Sequence, residues 1–321
     1  MKKLLSLLLS LVIATTLAVL AACGEGDENI VHIGILQVAT HSALDNAREG
    51  FKEVVDAWAN ANGKTVVYDE QNANGDPNNE VTIADALASK NPDLMLGIAT
   101  SSARALANST GKIPVLFTAV TAPEEEKLLR DNVTGTSDMN PVADQIALMA
   151  DIVPGLTKIG FLYNSSENNS VIQFELAKAK AQTMGVEIVP FTASLSSDIS
   201  TVVDSIPSSV QAVYVPTDNL MAENMQSICS TLHSKGIPVI PGESGMCEDG
   251  EGLATLGIDY FELGKQTGAM AVSILSGEKQ VKDVAFEYYN KDSSFFINEN
   301  NAKTLGLTDA QIEALKAKYE K

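Results

Sequence analysis

From Val31 onward the chain alternates short apolar runs with longer amphipathic ones. Val31–Leu36, Lys64–Asp69, Asp93–Ile98 and Pro114–Phe117 have strand length and are rich in Val, Ile and Leu on both faces. Strands covered by helices on both sides carry that pattern. Between them the spacing predicts helices over Ser42–Asn60, over Asn79–Lys90 and from Ser101. A second set follows: strands at Lys158–Tyr163, Val186–Pro190, Gln211–Val215 and Ile237–Ile240, with helices over Asn168–Met184, near Ile199 and over Leu220–Lys235. Each set is enough for one parallel, doubly wound sheet. Val133–Ser137 and a helix from Val142 lie between the sets. Leu253–Ile258, a helix over Tyr260–Leu275 and a tail with Ala285–Tyr289 and Phe295–Ile297 follow them. The expected fold class is α/β.

The polar residues of this pattern gather at the carboxyl ends of the strands, where open parallel sheets bind ligands. They are Gln37; Thr100, Ser101 and Ser102; Thr118 and Thr121; Ser137 and Asp138; Asn164, Ser165 and Ser166; Thr217, Asp218 and Asn219; and Glu243 with Ser244. Any one of them is explained as well by helix capping, which favours Ser, Thr, Asp and Asn. Together, on two sheets facing each other across a cleft, they would line one polar pocket. His41, in the loop after the first strand, joins the candidate set.

The first 23 residues stand apart. Lys2 and Lys3 are followed by an apolar run from Leu4 to Leu20 and by the small residues Ala21 and Ala22 before Cys23. That order is basic, apolar, small, as in a cleaved secretory signal. The run is also about long enough to cross a bilayer, and the alternative is a retained anchor. Leu20-Ala-Ala-Cys23 resembles the lipobox of bacterial lipoproteins, which implies a lipid on Cys23.

Composition narrows the function. The chain has 321 residues, 45% of them hydrophobic, so it can bury a sizeable core. With 41 acidic against 22 basic residues and a net charge of −19, nucleic acid is an unsuitable partner. No phosphate loop, dinucleotide fingerprint or HExxH motif occurs, and nothing requires a cofactor or a metal. Gly242-Glu-Ser-Gly245 approaches a nucleophile elbow but lacks its last glycine. A secreted hydrolase using Ser244 or Asp218 is the rival from another class. Asp69–Asp76 is rich in oxygen ligands without the spacing of a calcium loop and reads as a polar turn. Export would permit a disulfide between Cys229 and Cys247, which spacing alone cannot place.

Ile33-Gly-Ile-Leu-Gln37, Ile98-Ala-Thr100, Phe117-Thr-Ala-Val-Thr121, Thr134-Gly-Thr-Ser-Asp138, Leu162-Tyr-Asn-Ser-Ser-Glu167, Val215-Pro-Thr-Asp-Asn219, Pro241-Gly-Glu243 and Gly257-Ile-Asp259 occur in this order after the lipobox. The set resembles the substrate-binding lipoproteins of ABC transporters with the type I periplasmic-binding fold, some of them linked to tryptophan and tyrosine uptake. One departure is Ser42, where the family often has Pro. The resemblance implies two doubly wound parallel-sheet lobes joined by a three-stranded hinge, with no catalysis. It implies lobes at 24–137 plus 259–283 and at 138–258 plus 284–321, behind a signal at 1–23, with the third crossing near Val284–Tyr288. It implies as partners a small ligand, an ABC permease and ATPase, and a membrane reached through Cys23. The protein would be exported and lipid-anchored, at the outer face of the cell membrane or in the periplasm.

A zwitterionic amino acid suits these residues. Ser101, Ser102 and Thr121 offer hydroxyls and a helix start to a carboxylate. Asp218, Glu243 or Asp138 offers a partner to an ammonium, with Asp218 expected to take it. Phe117, Tyr163 and Tyr214 are the expected apolar walls for an aromatic side chain, and Trp58 is expected in the core. A sugar or nucleoside receptor and a ligand-sensing subunit share the fold and remain alternatives.

Overall fold

The computed structural model describes residues 29–320. The signal and Cys23 lie outside the described residues. The first sheet is six-stranded, parallel throughout, in the order β11-β5-β4-β3-β1-β2. Its strands are β1 (Ile30–Gln37), β2 (Thr65–Asn72), β3 (Leu94–Ile98), β4 (Val115–Thr118), β5 (Val133–Ser137) and the short β11 (Glu287–Tyr288). Alternation along the strands sorts the core into two layers. Ile33, Ile35, Leu94, Leu96 and Ile98 face α1 (Ser42–Ala61) and α10 (Tyr260–Leu275). Leu36, Met95, Val115 and Phe117 face α2 (Pro77–Ser89) and α3 (Thr100–Ser109). Trp58 is half-buried against the first of these layers.

The second lobe carries a four-stranded parallel sheet ordered β7-β6-β8-β9 and a two-stranded antiparallel pair, β10 with β12. Its strands are β6 (Lys158–Tyr163), β7 (Glu187–Thr192), β8 (Ala212–Val215), β9 (Val239–Pro241), β10 (Ala254–Gly257) and β12 (Ser294–Ile297). Pro190 is tolerated because β7 is an edge strand. Helices α4 (Val142–Ile152), α5 (Asn168–Thr183), α6 (Ser196–Ser205), α7 (Asn219–Glu223), α8 (Met225–Ser234) and α9 (Gly245–Glu248) flank the sheet, and α11 (Glu299–Thr304) and α12 (Asp309–Tyr319) close the chain. Asn224 interrupts the helix expected over Leu220–Lys235: its side-chain amide donates to the Leu220 carbonyl at 2.8 Å, capping α7 before α8 starts.

The chain changes lobe three times: after β5, after β10, and between β11 and β12. The last connection leaves the first sheet only after Tyr288, later than the expected crossing near Val284–Tyr288, so residues 284–289 belong to the first lobe and not, as expected, to the second. Glu287 and Tyr288 pair with Thr136 and Ser137 to complete the sheet edge, and Val284 and Tyr289 pack on the first core. Cys229 and Cys247 are buried free thiols in α8 and α9.

The second change of lobe is fixed by close packing. A Cβ at Gly264 of α10 would lie 2.0 Å from the Ala47 carbonyl oxygen of α1, and one at Gly50 would lie 2.0 Å from that of Phe261. Only glycine lets the two backbones approach this far.

Candidate functional site

The carboxyl ends of both sheets face one cleft. At its centre a cavity of about 20 Å³ is lined by His41, Thr100, Thr121 and Asp138 from the first lobe and hinge and by Asn169, Thr217, Asn219 and Glu243 from the second, with Tyr260, Ala99, Ala119 and Met246. It shares Thr100, Asn169 and Asn219 with a chamber of about 170 Å³ that adds Glu80, Ser101, Arg104, Asn164, Ser166 and Glu167.

Two fully buried acids dominate the central cavity. Asp138 accepts from Thr121 Oγ1 at 3.1 Å and from the Tyr260 hydroxyl at 2.8 Å. Glu243 accepts from the backbone N–H groups of Gly245 at 2.7 Å and Met246 at 2.9 Å. Burial pushes both carboxyls up, Glu243 to about 7. No lysine or arginine lines this cavity among the described residues. Each carboxylate oxygen has taken one hydrogen bond and can take another. The backbone is strained beside them. Ala99 and Ala119, at the ends of β3 and β4, have φ of 77° and 57°, where a side chain is costly.

Several expected ligand contacts turn inward instead. Asp218 is buried in its own lobe: Asn164 N and Ser170 Oγ donate to it at 2.6 and 2.7 Å and Met221 N at 2.9 Å. Its carboxyl is pushed well up, by burial first and by the charge of Glu167 second. It caps α7 and ties down the loop after β6, and it lines neither cavity. Gln37 pins α1, donating to the Ala39 carbonyl and Asp45 while accepting from Arg48. Ser101 and Ser102 both donate to Glu80, at 2.6 and 3.2 Å, so a carboxylate of the protein already occupies the hydroxyls expected to hold the ligand's. Burial pushes Glu80 up as well. Thr118 meets Thr136 within the first core, and Ser137 donates to the Thr121 carbonyl.

The expected aromatic walls are also core. Phe117 is fully buried under the first sheet, Tyr163 stacks on Phe174, and the Tyr214 hydroxyl donates to Gln145 at 2.5 Å. The aromatic ring that does reach the central cavity is Tyr260. It was missed, as were Glu167 and Asn169. Their signal was position: Tyr260 opens the helix after Gly257-Ile-Asp259, and Glu167 and Asn169 extend the polar run begun at Asn164.

The lobes touch across the cleft. His41 Nε2 meets Asn219 Oδ1 at 3.2 Å, Asn168 Nδ2 donates to Glu126 at 2.5 Å, and Gly245 lies against Ser42.

Comparison with known proteins agrees with this geometry. A tyrosine-binding protein of Clostridioides difficile (strain R20291) is 32% identical over 334 residues, covering 98% of this chain and 95% of that one. A Streptococcus pneumonia ABC domain in complex with L-Trp superposes with a TM-score of 0.81 at 33% identity, covering 88% of this chain and 97% of that one. A ligand-free, open substrate-binding protein with adhesive properties from Clostridium difficile is 36% identical, covering 87% and 96%, yet its TM-score is only 0.66. In this chain the lobes meet across the cleft, through His41 with Asn219 and Asn168 with Glu126, and enclose the central cavity, a closed arrangement. The family described as ABC transporter substrate binding protein matches residues 32–318. Two lobes, three crossings and a closed polar cleft are what such receptors use to hold solutes outside the cytoplasm without transforming them, and this chain belongs to that family.

Proposed function

We propose that the protein is the lipid-anchored solute receptor of an ABC importer and binds an aromatic amino acid between its lobes. The observation that carries the ligand class is the central cavity, with two buried carboxylates and no cationic side chain. A ligand ammonium at Asp138 and Glu243 supplies the missing charge. The ligand carboxylate is assigned to the start of α3, which has no side-chain cap, beside Thr100. Ala99, Ala119, Leu44 and Met246 give the apolar surface. The tyrosine and tryptophan named for the relatives support an aromatic side chain.

A thermal-shift screen tests the reading. A ligand at a hundredfold over its Kd adds about 2.7 kcal/mol of stability. Tyrosine, tryptophan or phenylalanine is expected to raise the Tm, and sugars and nucleosides are not. A shift with sugars or nucleosides alone would overturn the amino-acid assignment. The anchor has its own test: Cys23→Ala is expected to release a folded protein from the membrane fraction. A variant that stays membrane-bound and uncleaved would make the apolar segment a transmembrane anchor.

A further inference from the structure

His41 sits at the entry to α1 and makes no capping bond. Its Nε2 faces Asn219 Oδ1 across the cleft. The Asn219 amide is not free to turn over. Its Nδ2 donates to Glu167 Oε2 at 2.6 Å, and the Asn219 backbone N–H donates to the same oxygen at 3.0 Å. Glu167 Oε1 takes donors from Leu220 N at 3.1 Å and Asn164 Nδ2 at 3.3 Å. Turning the amide over would press oxygen against a carboxylate oxygen. Asn219 therefore presents Oδ1 to His41, and His41 must bring the proton on Nε2. Burial holds the imidazole below its usual range and so neutral. A neutral ring with the proton on Nε2 has a bare, accepting Nδ1. That atom is shielded from solvent and has no partner among the described residues.

We propose that His41 is a specificity-determining acceptor: Glu167 and Asn219 fix its tautomer across the closed cleft, and its Nδ1 accepts a hydrogen bond from an N–H of the ligand's ammonium group. The inference rests on the amino-acid reading above and adds the third acceptor. An ammonium has three N–H donors, and Asp138, Glu243 and His41 line the same small cavity. His41 belongs to one lobe and Asn219 to the other, so the tautomer is selected only as the lobes meet. A ligand offering an acceptor at that place, such as a second carboxylate, meets a lone pair and is refused.

Nitrogen-15 NMR of the histidine-labelled full chain, saturated with whichever of tyrosine, tryptophan or phenylalanine gives a thermal shift, reads the tautomer directly. The expected result is a proton on Nε2 and none on Nδ1; a proton on Nδ1 overturns the proposal. Calorimetry of two variants reads the consequence. His41→Asn, whose amide oxygen can replace Nδ1, is expected to keep affinity within about threefold. His41→Leu is expected to lose about tenfold to a hundredfold, as for a buried charged group left one partner short. Equal losses would mean that His41 acts only by shape, and that also overturns it. If none of the three amino acids binds, the amino-acid reading fails separately. The tautomer is then read on a Ser42→Cys/Gly245→Cys protein, ligand-free and closed by a disulfide, since a Cβ at Gly245 lies 2.5 Å from Ser42 Oγ. A protonated Nδ1 there overturns the proposal, and a bare one sustains it for another N–H ligand.

Discussion

Glu243 shows how one buried residue ties function to pH. Burial raises its carboxyl from an ordinary value of 4.5 to about 7 in the closed form. The closed, ligand-free protein therefore binds more protons than the open or unfolded one between those values, and closure loses stability as pH rises through them. A bound ammonium reverses this, because it favours the ionised carboxylate. From an open, already ionised Glu243 this adds no slope to amino-acid affinity above pH 6. His41 sets it instead, because burial lowers its imidazole from 6.5 and a protonated ring must lose its proton to close, so affinity is expected to rise a few-fold from about pH 6 to pH 8. Asp138, also pushed up by burial, opposes ligand-free closure at rising pH in the same way as Glu243. Isothermal titration over that range checks the slope. Glu243→Gln is expected to weaken amino-acid binding at pH 8 by about tenfold or more, and unchanged affinity would remove Glu243 from the ammonium site.

At the scale of elements, the sequence was most readable where burial is two-sided. β1, β3, β4, β6 and β8 are near-continuous runs of Val, Ile, Leu and Phe because helices cover both faces, and they appear close to where the pattern put them. The break at Asn224 and the single turn of α9 were not readable, since each depends on local hydrogen bonds that leave no periodicity. The cleft was readable as a place but not as a set of contacts. Ser101 and Asp218 fall where expected, yet both point at partners far along the chain, Glu80 and Ser170, that no local pattern reveals. The glycines of α1 and α10 make a testable element. Gly264→Ala sets a methyl group against the Ala47 carbonyl, so the helices must separate. Overpacking of this kind costs about 1–3 kcal/mol. Chemical denaturation is expected to show that loss, whereas Gly277→Ala, with open space around it but a φ of 76°, reports backbone strain alone.

For the whole molecule, the closed arrangement buries Asp138 and Glu243 without an opposite charge beside them. Ligand-free protein in solution is therefore expected to open, and ligand to close it by hinge rotation. Small-angle scattering should give a smaller radius of gyration at saturation, and an unchanged radius would argue for one rigid body. The hinge crossings carry a different consequence, for the order of events during synthesis. Tyr260, Leu263, Met270 and Ala271 form one wall of the first core, and Glu287–Tyr288 complete its sheet. A chain emerging amino end first thus makes five strands of that sheet long before the helix that covers them exists. Contacts of such long sequence separation form slowly. The first lobe therefore lacks one wall of its core and its sixth strand until residues 260–288 are made, and a chain still short of them is easier to thread through a narrow pore than the finished fold.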